Sequence, residues 1–123
     1  MAKVYEYIAD GTEEIEALTM TDVLRRAGVE VVTVSINKTA EVTMSHGVRI
    51  ICDTTVAEAD VNDADMLLLP GGMPGATNLN DCEAVRTAVL RQYEQGKKVG
   101  AICAAPLILG GLGILQGKRA TCY

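Results

Sequence analysis

The chain contains no tryptophan, no phenylalanine and only four tyrosines among 123 residues. Its core must therefore be aliphatic, built from Val, Ile, Leu, Ala and Met. Basic charge is also scarce: 11 Lys and Arg stand against 16 Asp and Glu, and no basic run exceeds two residues. An acidic chain without a basic stripe or stacking aromatics is a poor nucleic-acid binder, so no such partner is expected. Long apolar runs are missing too. The uncharged stretch 99–115 is interrupted by Pro106 and by glycines at 100, 110, 111 and 113, which leaves it too short and too broken to span a bilayer. Residues 1–7 lack the apolar segment of a secretion signal and already hold Glu6. These absences predict a cytoplasmic chain with no membrane partner. There is one histidine, His46, and the cysteines at 52, 82, 103 and 122 show no C-x-x-C spacing. The spacing signature of a zinc site is thus missing, no metal is expected, and disulfides are not expected without secretion.

What is present points to one folded domain over 1–123. Hydrophobic residues make up 49% of the chain and charged residues 22%, which excludes a disordered polymer. Strand-like and helix-like segments alternate. Strands are predicted over 3–9, 30–36, 65–69 and 98–102, with two short strands, 42–44 and 48–52, around Ser45-His46-Gly47. A helix capped by Thr12 is predicted to run to Gly28, with Glu13 and Glu14 in its first turn. A second is predicted from an Asn80-x-x-Glu83 capping box to Gly96, and a third over 106–115. Arg119–Cys122 reads as the start of another strand. Apolar strands alternating with amphipathic helices predict a mainly parallel sheet covered on both faces, an α/β three-layer sandwich. Ligands of such sheets bind beyond the carboxyl ends of the strands.

Three loops should therefore open at one edge. They carry Gly11 to Glu16, Pro70 to Gly75, and Ala101 to Pro106. Cys103 sits between an apolar strand and a helix with an early proline, and Ala101 and Ala105 supply the small residues that a sharp strand-to-helix turn needs. A thiol at a helix N-terminus is favoured as thiolate, the reactive form. An apolar-flanked cysteine is equally often buried and inert. Gly71 and Gly72 allow close backbone approach and, with the N–H of Ala104, offer an oxyanion hole. They also fit an ordinary turn. Glu13, Glu14 and Glu16 are most simply a solvated helix start, although Glu16 is placed to turn back over the sheet edge. On the residues alone these alternatives stay open.

Four segments in this order, Gly11-Thr-Glu-Glu-Ile-Glu16, Asp22-Val-Leu-Arg-Arg-Ala-Gly28, Leu69-Pro-Gly-Gly72 and Ala101-Ile-Cys-Ala-Ala-Pro106, resemble the ThiJ/PfpI superfamily, and within it the parkinsonism-associated deglycase branch. The resemblance covers the whole chain. It implies a flavodoxin-like sandwich with a strained cysteine elbow. Cys103 would be the nucleophile, Glu16 its protonated hydrogen-bond partner, and the N–H groups of Gly72 and Ala104 the oxyanion donors. It implies a homodimer with the site near the interface, where Arg26 would reach the site from the other subunit. Activities ascribed to that branch are glyoxalase, deglycation, chaperoning and oxidative-stress sensing, and none needs a cofactor.

The chain also departs from the pattern. Ala104 stands where the protease branch has histidine, which counts against a Cys-His peptidase or amidase. Tyr123 stands where many relatives have histidine, and His46 where they often have arginine, a change that bears on anion binding near the interface. Relatives continue beyond the position of Tyr123, so the domain is expected to be incomplete at its C-terminus, with a separate chain among the partners that would complete it. Three readings of function follow: thiolate addition to a small reactive carbonyl substrate, a redox sensor or chaperone built on an oxidisable Cys103, and an anion-binding module built on the Gly71-Gly72 loop.

Overall fold

Strand pairing follows the apolar runs of the sequence. In the computed structural model, which describes residues 2–123, five strands form one sheet in the order β5-β2-β1-β6-β7, and every pairing is parallel. The strands are β1 (Lys3–Ile8), β2 (Glu30–Ser35), β5 (Thr54–Thr55), β6 (Met66–Leu69) and β7 (Lys98–Ala101). The four strands predicted over 3–9, 30–36, 65–69 and 98–102 are thus parallel neighbours. A separate antiparallel hairpin pairs β3 (Glu41–Thr43) with β4 (Arg49–Ile51). On one face of the sheet, Tyr5, Tyr7, Leu67 and Leu69 pack against α2 (Gly75–Asp81), α3 (Glu83–Glu94) and α4 (Pro106–Gly111) through Leu79, Val85, Val89 and Ile108. On the other, Val4, Val31 and Leu68 meet Met20 and Leu24 of α1 (Glu14–Arg26). The result is the expected three-layer α/β sandwich of the flavodoxin-like kind. Among the described residues, no helix is long and apolar enough to cross a membrane.

Four local expectations need correction. Thr12 does not cap α1. It is fully buried, and its hydroxyl accepts from the Ala9 N–H at 3.0 Å, so capping falls to Glu13, whose carboxylate accepts from Glu16 N at 2.8 Å. The Asn80–Glu83 capping box does not form, because Asn80 lies inside α2 and the α3 N-cap, Cys82, makes no side-chain bond. The short α2 has weak helix formers and buries Gly75, Ala76 and Leu79. The last helix stops at Gly111, where Gly110, Gly111 and Gly113 weaken propagation. Residues 119–122 form no strand. They run exposed to Tyr123, whose N–H donates to the Cys103 carbonyl at 2.8 Å.

One acid lies where an aliphatic residue would be expected. Glu6 on β1 is 0% exposed beneath α1. Its Oε1 accepts from the Thr21 hydroxyl, while Oε2 has no partner among the described residues. Burial pushes its pKa up to about 7, against the opposing pull of the Thr21 hydroxyl and the Arg25 charge. The folded state therefore holds this proton more tightly than the unfolded chain does. Stability is fullest below about 4.5 and declines as pH rises through about 7, by on the order of 3 kcal/mol. We expect urea midpoints to fall between about pH 5 and pH 8 in the native chain, and to fall much less in Glu6→Gln. Equal falls in both would show that Glu6 is not the group responsible.

Candidate active site

Three chain reversals meet at the carboxyl ends of β1, β6 and β7. The first, 9–13, is held by Thr12 N–H donating to Ala9 O at 3.0 Å and by Glu13 N–H donating to Gly71 O at 3.0 Å. The second leaves β6 through Pro70-Gly71-Gly72. The third leaves β7, where Ile102 N–H extends the ladder to Leu69 O at 3.2 Å and Ala105 N–H returns to Ile102 O at 3.0 Å. The bonds of this third reversal tie down the residues on both sides of Cys103. Cys103 takes a φ of 59°, the one non-glycine residue at positive φ among those described. A side chain held in that region costs on the order of 1–3 kcal/mol and persists only where its surroundings impose it.

The packing of these loops is set by glycine. A Cβ on Gly71 would lie 2.6 Å from Glu16 Oε1, 2.8 Å from Ile102 O and 2.9 Å from Cys103 Cβ. A Cβ on Gly72, whose φ is +94°, would lie 2.5 Å from Glu13 N. Bare backbone at 71 thus lets the carboxylate of α1 and the thiol of the elbow reach the same point. Glu16 Oε1 accepts from the Gly71 N–H at 2.9 Å, which holds the carboxylate beside the Cys103 side chain.

Electrostatics at the thiol differ from the expectation of a helix-activated thiolate. Cys103 precedes α4 by three residues and sits on the turn, not on the helix end. Burial pushes its pKa up, the neighbouring Glu16 carboxylate adds to this, and the Ala104 backbone N–H is the opposing influence. The other cysteines have different settings: Cys52 is buried, with its thiol pushed up to about 11 by burial, Cys82 is half-buried, and Cys122 lies exposed on the terminal segment.

Of the residues singled out in the sequence, Cys103, Glu16, Gly71 and Ala104 come together. The N–H of Gly71 is taken by Glu16, so it is not available as an oxyanion donor. Gly72 N–H makes no hydrogen bond among the described residues. Arg26 and His46 do not join this cluster within the chain. Arg26 pairs with Asp22 at 3.0 Å, ten residues and roughly 15 Å along α1 from Glu16. His46 stacks its Nδ1 on Glu14 Oε1 at 3.0 Å.

Sequence reasoning missed the role of Glu14. Its carboxylate accepts from the Ser45 hydroxyl, the His46 N–H and the Val48 N–H, organising the turn of the β3–β4 hairpin. Burial opposes its ionisation, yet the His46 ring, its own N–H and the Ser45 hydroxyl hold its pKa down to about 2. Its partners lie 31 to 34 residues away, where no local pattern reveals them. Glu13, Glu14 and His46 bring ligand-type atoms within 4.8 Å of one another. The Glu14 oxygens are already spent on the turn.

A parallel sheet with a cysteine elbow and an acid beside it defines a class of α/β proteins. The DJ-1/PfpI family model matches residues 2–123, and the chain belongs to that family. It is 40% identical to Protein DJ-1 homolog B of Arabidopsis thaliana over 98% of this chain and 28% of the relative. It is 33% identical to the glutathione-independent glyoxalase DJR-1.2 of Caenorhabditis elegans over 93% of this chain and 60% of the relative. The oxidized DJ-1 structure from Toxoplasma gondii superposes with a TM-score of 0.96 at 40% identity, covering all of this chain and 67% of that one. The chain thus spans between about a quarter and two-thirds of the length of these relatives.

Gly71→Ala tests the packing. Forcing a Cβ between Glu16 and Cys103 should lower the melting temperature by roughly 5–15 °C, the range for overpacking by one methyl. An unchanged melting temperature would show that the two side chains have room to part.

Proposed function

We propose that this chain carries the reactive centre of a cofactor-independent cysteine enzyme acting on small reactive carbonyls or their adducts, of the glyoxalase or deglycase type. The observation that carries this reading is the convergence of Glu16 and the strained Cys103 elbow on Gly71, with Glu16 Oε1 2.6 Å and Cys103 Cβ 2.9 Å from the point where a Gly71 Cβ would stand, and Cys103 at a φ of 59°. Proton transfer from sulfur to Glu16 yields the nucleophile. The thiolate adds to the aldehyde carbon of a substrate such as methylglyoxal, and the carbonyl π pair becomes an oxyanion. The N–H groups of Gly72 and Ala104 receive that charge. Glu16 returns its proton to the oxygen, completing a hemithioacetal, and is then a base for the neighbouring C–H. Net conversion to a hydroxy acid adds one water and restores the thiol. That the Caenorhabditis relative is a glutathione-independent glyoxalase supports this class.

The exposed apolar side chains of Ile15 and Val48 beside His46 support a homodimer along that surface. In such a dimer Arg26 and His46 would serve as contributors from one subunit to the site of the other. A second reading has specific support in the oxidized state named for the Toxoplasma structure. Two equivalents of peroxide convert the thiol to a sulfinic acid and release two waters, and the Ala104 N–H with a protonated Glu16 would hold the sulfinate oxygens.

Methylglyoxal turnover separates the two. Cys103→Ser should lose at least about a hundredfold in kcat/KM, on the scale of removing a nucleophile, while Cys52→Ser stays near the native value. Undiminished turnover in Cys103→Ser would overturn the enzyme reading. A native protein without turnover whose Cys103 gains two oxygens in dilute peroxide would place the function in sensing.

A further inference from the structure

On the opposite face of the sheet from α1, a cleft of about 480 Å³ opens between α3 and the crossover that follows β5. It shares no lining residue with the Cys103 site. Tyr7 of β1 forms its floor, Val56 and Val61 one wall, and Ala88 the other, with Glu83 and Arg91 at the ends of the α3 rim. A volume in this range with apolar walls and a few polar groups is the usual form of a small-molecule site.

Tyr7 gives the cleft its chemistry. The residue is 3% exposed, and its hydroxyl makes no hydrogen bond among the described residues. That oxygen is nevertheless not among the fully enclosed unpaired atoms, so it reaches open space, and the cleft is the space that Tyr7 lines. Its neighbour on the same face, Tyr5, is satisfied: its hydroxyl donates to Asp63 Oδ1 at 2.6 Å. The Tyr7 hydroxyl thus presents the cleft with a hydrogen-bonding group that no protein partner occupies.

The two ends of the cleft differ in charge. Arg91 makes no ion pair among the described residues and touches only Asn62 Oδ1, at 3.5 Å. Lys97 donates to the carbonyl of the same Asn62 at 2.9 Å, so two cations gather at that end. Glu83 stands at the other, about 12 Å away along the helix, two turns and more from Arg91. The crossover wall is fixed in place, since Asp63 is gripped by Lys3 at 2.9 Å and by Tyr5, and Gln92 holds Ala64 O at 3.2 Å. The site is therefore preorganised, which lowers the ordering cost of binding.

We propose that this cleft binds a small organic acid with a flat or compact apolar body. Its carboxylate lies on Arg91, its body between Val56, Val61 and Ala88, and the Tyr7 hydroxyl hydrogen-bonds a polar atom of the ligand. Glu83 rejects the reversed orientation. The site is independent of the proposed chemistry at Cys103.

The probe is 2-naphthoate, titrated into the 15N-labelled protein and followed by amide shifts. Saturable shifts are expected at 56–61 and 84–91 and not at 103–105. Arg91→Gln should weaken binding about tenfold, the value of a charge-assisted hydrogen bond. Tyr7→Phe should weaken it several-fold while leaving the unbound spectrum folded, and Cys103→Ser should not alter it. Absence of shifts at 56–61 and 84–91 up to about 10 mM, the limit of a specific weak site, would overturn the proposal. So would equal affinity in Arg91→Gln, or equal binding of the neutral 2-naphthalenemethanol.

Discussion

Gly71 has no room for a side chain, because Glu16 Oε1, the Ile102 carbonyl and Cys103 Cβ all crowd the space where one would stand. That crowding is what brings α1 and the elbow after β7 into contact across the end of β6. The parallel sheet makes it possible. Strands β1, β6 and β7 are adjacent and parallel, so their exits fall on one edge, and the loops following them must share the same volume. Gly72, packed under Glu13, and the Glu13–Gly71 backbone bond fix the first loop on the second. Cys103 is then driven into positive φ by constraints on both of its flanks. Packing thus sets an acid and a thiol side by side at the sheet edge.

The same helix that supplies Glu16 ties the rest of the molecule to the site. Its first turn sends Glu14 to the β3–β4 hairpin, and its middle lays Ala17 and Thr21 over the sheet. Thr21 in turn covers Glu6, a buried acid most stable in its neutral form. Helix α1 therefore rests on two carboxyl groups of opposite tendency, Glu14 held ionised and Glu6 shifted towards its protonated form. A change at either end would move the element that positions Glu16.

Much of this was legible in the residues, for reasons that can be named. Leu67, Leu68 and Leu69 form the continuous apolar run that a strand buried on both faces requires. Ala101 and Ala105 meet the small-residue demand of a tight elbow. Other features depend on partners distant in sequence. Glu14 looks like a solvated helix start until Ser45 and His46 are seen against it. The state of the Cys103 thiol depends on Glu16, and its rise runs against the expectation drawn from helix α4 alone. The strand expected at 119–122 does not form, and the one tie to the elbow comes from the next residue, where the Tyr123 N–H donates to the Cys103 carbonyl.

The central claim is that packing at Gly71 holds the Glu16 carboxylate where it raises the pKa of the Cys103 thiol. The rate of Cys103 alkylation by iodoacetamide, measured across the pH range in the native chain and in Glu16→Gln, tests it most directly. The expected result is a rate profile whose midpoint moves to lower pH when the carboxylate is removed, because a neighbouring carboxylate disfavours the thiolate. Superimposable profiles in the two proteins would contradict it.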